Sequence, residues 1–294
     1  MTIRSDQAAP FTLAERDRIA VVAGSGNLPV QVVDELVRKG HRPLVIAIKG
    51  EAEWQDRPDA FDLVTLPPEE FGRLLPKLKR EGITHLVLAG GVSRRPRIRK
   101  IKLGLGLIGI IPKLIAAYRR GDDGLLRTII GYIEKNGIKV VGAHEIAPDL
   151  LAPEGVLTRA RPMAGDRKDI LAGLAAARAI GALDIGQGAV AIGGRAIALE
   201  GIEGTDGLLA RTREMRNHGR LAGKRRGVLV KCAKPGQELR ADLPAIGPDT
   251  IEGAHAAGLA GVAVEADHTF ILDFTATVER ANALGLFVVG LGEA

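Results

Sequence analysis

Between residues 231 and 247 the chain reads K-C-A-K-P-G-Q-E-L-R-A-D-L-P-A-I-G. Lys231, Lys234, Gln237, Glu238, Arg240 and Asp242 crowd a stretch whose backbone path is fixed by Pro235, Gly236, Pro244 and Gly247. It leaves an apolar run, 227–230, that reads as a buried strand, and it leads into a helix start at Pro248. Cations and carboxylates together on a stiff loop at a strand end suit a phosphorylated ligand with a metal ion. A solvated turn can have the same composition, so the remainder of the chain has to decide.

Other residues able to do chemistry are scattered. Glu200, Glu203 and Asp206 lie within seven residues, and carboxylates that close disfavour one another unless a cation joins them. Asp122, Asp123 and Asp206 each follow a glycine turn and precede a Leu-Leu pair, where they can cap a helix or face a ligand. His144 beside Glu145 is a base, a ligand or a structural histidine. Cys232 is the single cysteine, which leaves no internal disulfide and makes a small core residue the default reading.

The elements that would position these groups follow an alternating pattern. Short apolar runs at 18–23, 43–48, 62–66, 84–89 and 138–142 read as strands, with helices from about 28 to 39 and from 68 to 80. That alternation predicts a parallel sheet with crossover helices. Gly24-Ser25-Gly26 leaves the first strand and Pro29 opens a helix, so the loop suits an anion at a helix N-terminus. A dinucleotide fingerprint is incomplete: Pro29 occupies the place of the third glycine, and no acidic residue ends the second strand. Ser93 and Arg94 leave the fourth strand and are expected at the same crevice as Gly24 and Gly26.

Residues 148–157 carry two prolines and no clear period, and are expected to link two domains. The second half predicts a helix at 166–180, a hairpin of strands turning at Gly193-Gly194, a basic helix face at 211–226, and further strands and helices to the end.

Composition narrows the classes. The chain has 294 residues, 46% hydrophobic and 26% charged, as in ordinary globular proteins with room for two domains. Aromatic residues are only 3%, so stacking platforms for bases are few and no nucleic-acid partner is expected. The formal charge of +6 is local: residues 94–102 hold six cations and no acid, and without them the chain is formally neutral. This basic run passes into a glycine-rich apolar stretch from Leu103, a pairing that fits an anionic lipid. Neither a secretory leader nor an apolar run of spanning length is seen, and the expected compartment is cytoplasmic.

The ordered segments A-G-S-G-N-L-P at 23, G-G-V-S-R at 90, G-D-D-G-L-L-R at 121 and G-A-H-E at 142 resemble those of the LpxI-type UDP-2,3-diacylglucosamine pyrophosphatases of lipid A synthesis. So do D-I-G-Q-G-A-V at 184, E-G-I-E-G-T-D at 200, the stretch at 231 and A-G-L-A-G at 257. One departure is visible: Gly91 stands where the family pattern has asparagine, and Arg95 precedes Pro96.

The resemblance implies an α/β protein of two domains. Residues 1–147 would form an N-terminal Rossmann-like parallel sheet with helices (1–17 disordered), 148–157 the linker, and 158–294 a C-terminal catalytic α/β domain. It implies hydrolysis of UDP-2,3-diacylglucosamine to UMP and 2,3-diacylglucosamine 1-phosphate (lipid X), with Mg²⁺ or Mn²⁺ and with substrate between the domains. Asp242 and Asp206 are the implied catalytic residues, and Asp242, Asp206 and Glu200 the implied metal ligands. Implied substrate contacts are Gly24, Gly26, Ser93, Arg94, Asp122, Asp123, Gln187, Gly188, Thr205, Lys231, Lys234, Gln237 and Arg240. The enzyme would sit at the cytoplasmic face of the inner membrane, and a homodimer is compatible with it. Two other classes compete: a non-catalytic binder of nucleotide sugar or anionic lipid, and a nicotinamide-dependent oxidoreductase resting on Gly24–Gly26.

Overall fold

The computed structural model describes residues 11–51, 54, 57–92, 122–221 and 226–292. They form two compact units, one of Met1–Pro148 with Glu238–Asp242, the other of Asp149–Gln237 with Leu243–Ala294. Ser93, Arg94 and the basic run at 94–102 lie outside the described residues.

In the first unit five strands, β1 (Ile19–Ala23), β2 (Leu44–Ile48), β3 (Asp62–Leu66), β4 (His85–Ala89) and β5 (Lys139–Val141), pair in parallel in the order β3-β2-β1-β4-β5. β1 and β2 are buried along their whole length, which is why they read as unbroken apolar runs. α1 (Leu28–Arg38) carries Pro29 in its first turn and buries Val32, Val33 and Leu36. Asn27 precedes it in the cap position but makes no side-chain cap hydrogen bond. The helix expected over 68–80 is a 3₁₀ segment, Pro68–Arg73, running into α2 (Leu74–Arg80). Pro76 has no N–H to return to residue 72, so α-helical bonding begins only where that proline falls in a first turn. α3 (Asp122–Lys135) and the single turn α4 (Ala143–Ile146) complete the unit. Its core gathers Ala20, Val22, Ile46, Leu78, Leu86, Ile130 and Val140, and Ala241 packs against them.

Residues 11–17, part of the lead-in expected to be disordered, are ordered. Phe11 stands edge-on to His85 at 5.6 Å, Leu13 is buried, and the Thr84 hydroxyl donates to Asp17 at 3.2 Å. Two apolar side chains and a polar anchor at the amino ends of β1 and β4 offset the entropy of fixing that stretch.

The second unit is built on a mixed sheet of order β6-β13-β11-β9-β7-β8. Its strands are β6 (Gly155–Val156), β7 (Gly188–Ala191), β8 (Ala196–Leu199), β9 (Val228–Lys231), β11 (Gly261–Glu265) and β13 (Phe287–Leu291). β9, β11 and β13 run parallel, flanked by antiparallel β6 on one side and the β7–β8 hairpin on the other. β10 (Ala245–Ile246) and β12 (Phe270–Ile271) form a separate parallel pair. α5 (Ala164–Ala182) covers β7 and β9 closely, because a Cβ on Gly173 would stand 2.5 Å from Val230. α6 (Gly204–Glu214), α7 (Pro248–Ala256) and α8 (Phe274–Leu284) complete the layer around a core that includes Val190, Leu208, Leu229, Ile251, Val262 and Val288.

Two expectations are corrected here. Residues 148–157 are not a loose linker, since Leu151 bridges Phe270 and Gly155–Val156 is a sheet strand paired with β13. The basic helix expected over 211–226 ends at Glu214, and the 3₁₀ turns Met215–Asn217 and Gly219–Leu221 follow. Asn217 and Gly219 are poor helix formers, which explains the stop. Among the described residues no helix is long and apolar enough to cross a membrane.

Candidate functional site

In the first unit the strand order reverses between β1 and β4, and ligands of open α/β sheets collect where such loops leave the carboxyl ends. Here the two loops are fastened to each other. Gly24 N–H donates to Ala89 O at 2.8 Å, Ser25 N–H to Gly91 O at 2.7 Å, and Gly91 N–H back to Ser25 O at 3.0 Å. A Cβ on Gly24 would lie 2.2 Å from Gly91 O, and Gly90, at φ +83°, would strike Ser25 O at 2.5 Å. Gly24 is thus consumed by loop contact, whereas a Cβ on Gly26, at φ +88°, would meet none of the described residues. At the end of β5, Glu145 accepts the Gly142 N–H at 2.8 Å, and the His144 ring folds over Gly142 so closely that a Cβ there would be 2.3 Å from Cε1.

The segment 238–242 is held within this same unit. Glu238 N–H donates to Asp123 Oδ1 at 2.7 Å, and Arg127 Nε donates to Asp123 Oδ2 at 2.7 Å. Arg240 Nε donates to Glu238 Oε1 at 2.8 Å and Nη1 to Glu134 Oε1 at 2.6 Å. Hydrogen bonds to Glu238, then its charge and the contact with Glu134, raise the Arg240 pKa against the opposing effect of burial. Asp242 is half-buried, with its N–H on Glu238 O at 3.2 Å.

In the second unit, residues expected at the site meet at adjoining ends of β7, β8 and β9. Lys231 is buried and its Nζ donates to Ala245 O at 2.9 Å. Lys234 Nζ pairs with Asp184 Oδ1 at 2.7 Å. Gln237, also buried, closes the intervening turn: its Oε1 accepts the Lys234 N–H at 2.8 Å. Glu200 is buried under the Gly186–Gly188 turn, where a Cβ on Gly188 would be 2.7 Å from Glu200 Oε2. Its Oε2 accepts Gln187 N–H at 3.2 Å and its Oε1 accepts the Thr205 hydroxyl at 2.8 Å. Gln187 Oε1 is buried and accepts no hydrogen bond from the described residues. Asp206 is exposed in the first turn of α6, where a carboxylate complements the helix dipole.

Burial, aided by the Glu265 carboxylate, pushes the Cys232 thiol up to about 11, so it is no nucleophile near neutrality. Glu265 also fastens the loop, accepting Ala233 N–H at 2.9 Å. Glu134, Asp184 and Glu265 are partners that the sequence did not disclose. Glu134 stands 106 residues from Arg240, and no local spacing signals such a pair.

Among the described residues no group of three or more His, Cys, Asp or Glu side chains could hold a metal ion. Magnesium does not need such a cage, since it is bound through one or two carboxylates together with phosphate oxygens. Asp206 is exposed and Asp242 half-buried, whereas the Glu200 oxygens accept hydrogen bonds from Gln187 N–H and the Thr205 hydroxyl.

Residues 18–150 match the model of the LpxI N-terminal domain, and residues 153–289 that of the LpxI C-terminal domain. The chain belongs to the LpxI family. A relative from Caulobacter vibrioides, the UDP-2,3-diacylglucosamine pyrophosphatase LpxI, is 38% identical over 275 residues, spanning 93% of this chain and 97% of the relative. Likeness to solved structures is low. The Bordetella bronchiseptica enzyme WbmG in complex with NAD and UDP is 15% identical at a TM-score of 0.28, over 41% of this chain and 35% of that one. Isoflavone reductase is 9% identical at a TM-score of 0.27, over 94% of this chain and 78% of that one. The two LpxI matches meet around residues 150–153, where the chain enters the second unit.

Proposed function

We propose that this LpxI-family chain hydrolyses the pyrophosphate bond of UDP-2,3-diacylglucosamine, giving UMP and 2,3-diacylglucosamine 1-phosphate. The observation that carries this reading is the 38% identity, over nearly the full length of both chains, to a relative with that name. Water adds to one phosphorus, and the bridging oxygen leaves with the other phosphoryl group. Such a reaction needs charge stabilisation and a placed water more than covalent chemistry. Lys231 and Lys234 supply positive charge at the carboxyl end of β9. Asp242 is assigned the central carboxylate, orienting water or holding a divalent cation, and Asp206 is the second choice. Mg²⁺ or Mn²⁺, when bound, supplies neutralisation of the phosphate oxygens. An acylated substrate places the work at the cytoplasmic face of the inner membrane, which flotation with anionic vesicles would test.

The deciding experiment measures UMP release from UDP-2,3-diacylglucosamine, with and without Mg²⁺, for the wild type and Asp242→Ala. Loss of a group acting in the transition state is expected to lower the rate by roughly 10²-fold or more. Release that persists in Asp242→Ala moves the assignment to Asp206. No release from the wild type overturns the hydrolase reading and leaves a binder.

A further inference from the structure

Arg240 lies two residues before Asp242, and its guanidinium is taken from two sides. Nε and Nη2 donate to the two Glu238 oxygens at 2.8 and 3.0 Å, a forked pair, while Nη1 donates to Glu134 Oε1 at 2.6 Å. Glu134 belongs to the last turns of α3, and Asp123, at the other end of that helix, accepts the Glu238 N–H at 2.7 Å. The Ala241 and Asp242 N–H groups then both donate to Glu238 O, at 3.0 and 3.2 Å. Ala241 itself packs on the core of the first unit. The segment 238–242 is therefore tied to α3 through Glu238 and Arg240, to the first core through Ala241, and to itself through the Glu238 carbonyl.

A guanidinium engaged by two carboxylates is a poor phosphate ligand, because its charge is already balanced and three of its five N–H groups, the forked pair among them, are taken. We infer that Arg240, Glu238, Glu134 and Asp123 are positioning residues that fix the Asp242 carboxylate relative to α3, and that Arg240 does not bind the substrate phosphates. This rests on the reading that Asp242 acts in the hydrolysis. Displacing an acting group by about 1 Å can cost on the order of 10²-fold in rate, so the anchorage matters to turnover rather than to affinity.

The test is kcat and KM for UMP release by the full chain carrying Glu134→Gln or Arg240→Lys, with amide exchange read at Ala241 and Asp242. Both variants are expected to lower kcat by about 10- to 100-fold with KM unchanged, and to speed exchange at those two amides. Lysine keeps the charge but loses the fork, so it does not rescue. A phosphate-binding Arg240 gives the opposite pattern: Arg240→Lys raises KM, and Glu134→Gln, which frees the guanidinium, leaves kcat intact. That pattern, or unchanged exchange in Glu134→Gln, overturns the inference. Should Glu134→Gln fail to fold, Asp123→Asn tests the other end of the anchorage by the same readouts. Should the wild type release no UMP, the hydrolase reading fails, while amide exchange in Glu134→Gln still decides whether the segment is anchored as described.

Discussion

Cys232 adjoins Lys231, a neighbour that in open solvent would favour a thiolate, yet burial and the Glu265 carboxylate push the thiol up to about 11. Iodoacetamide at pH 8 is therefore expected to leave native protein unmodified and to label it only in denaturant, as mass spectrometry would read. Cys232→Ala should retain UMP release; rapid native labelling with loss of activity would contradict the assignment of Cys232 as a core residue. Glu238 carries the other residue-scale prediction. Hydrogen bonds from Arg240, and its charge, outweigh burial and hold the Glu238 carboxyl below its ordinary value of 4.5. A group whose pKa is lowered on folding contributes stability that is complete above the unfolded value and lost as pH falls through the folded one. Amide protection at Ala241 and Asp242 should thus hold from neutrality down to about pH 4.5 and fall below that. Glu238→Gln should remove the acid-dependent part. A loss of protection beginning near pH 6 would point to a histidine instead.

At the scale of elements, the turns at the ends of β1 and β4 decide what the glycines there are for. A G-S-G after a strand reads as an anion-binding loop, but the structure spends Gly24 on the approach of the Gly91 carbonyl. Gly24→Ala forces two backbones apart and is expected to destabilise the protein by about 1–3 kcal/mol, read as a lowered denaturation midpoint. Gly91→Asn is a milder case, because among the described residues a Cβ there meets Ser25 Oγ alone, at 3.0 Å, and disturbs at most that hydroxyl's hydrogen bond to the Gly91 carbonyl. That variant should fold with an unchanged midpoint, and its KM for the substrate measures what the family's asparagine adds. The parallel strands themselves were legible because both faces are buried and the sequence shows it as apolar runs. The pairing of β6 with β13 and the Arg240–Glu134 bridge were not, since each joins segments more than a hundred residues apart without a local pattern. The Glu200 carboxylate was legible as a charge but not as a buried acceptor, because only the fold brings Gln187 and Thr205 to it.

For the molecule as a whole, the two units have separate cores, and the five residues ending in Asp242 belong to the first although most of the sequence around them belongs to the second. Composition could suggest two domains but not this assignment, which rests on Ala241 packing against the first core and on the bonds of Glu238 and Arg240 to α3, all between residues far apart in the chain. The assignment has a measurable consequence. Leu78 is fully buried in the first core, and truncating a buried leucine to alanine costs about 2–5 kcal/mol through lost burial and the cavity left behind. Leu78→Ala should therefore speed amide exchange in β1 and β4, and also at Ala241 and Asp242, while β9 and β11 keep their protection. Leu229→Ala, in the second core, should loosen β9 and β11 and spare Ala241 and Asp242. If both variants instead destabilised all these amides equally, the units would unfold as one cooperative body. The position of Asp242 would then depend on the whole chain rather than on the core of the first unit. The distinction bears on catalysis because kcat in Leu78→Ala should fall with the protection of Asp242, whereas in Leu229→Ala kcat and that protection should part company.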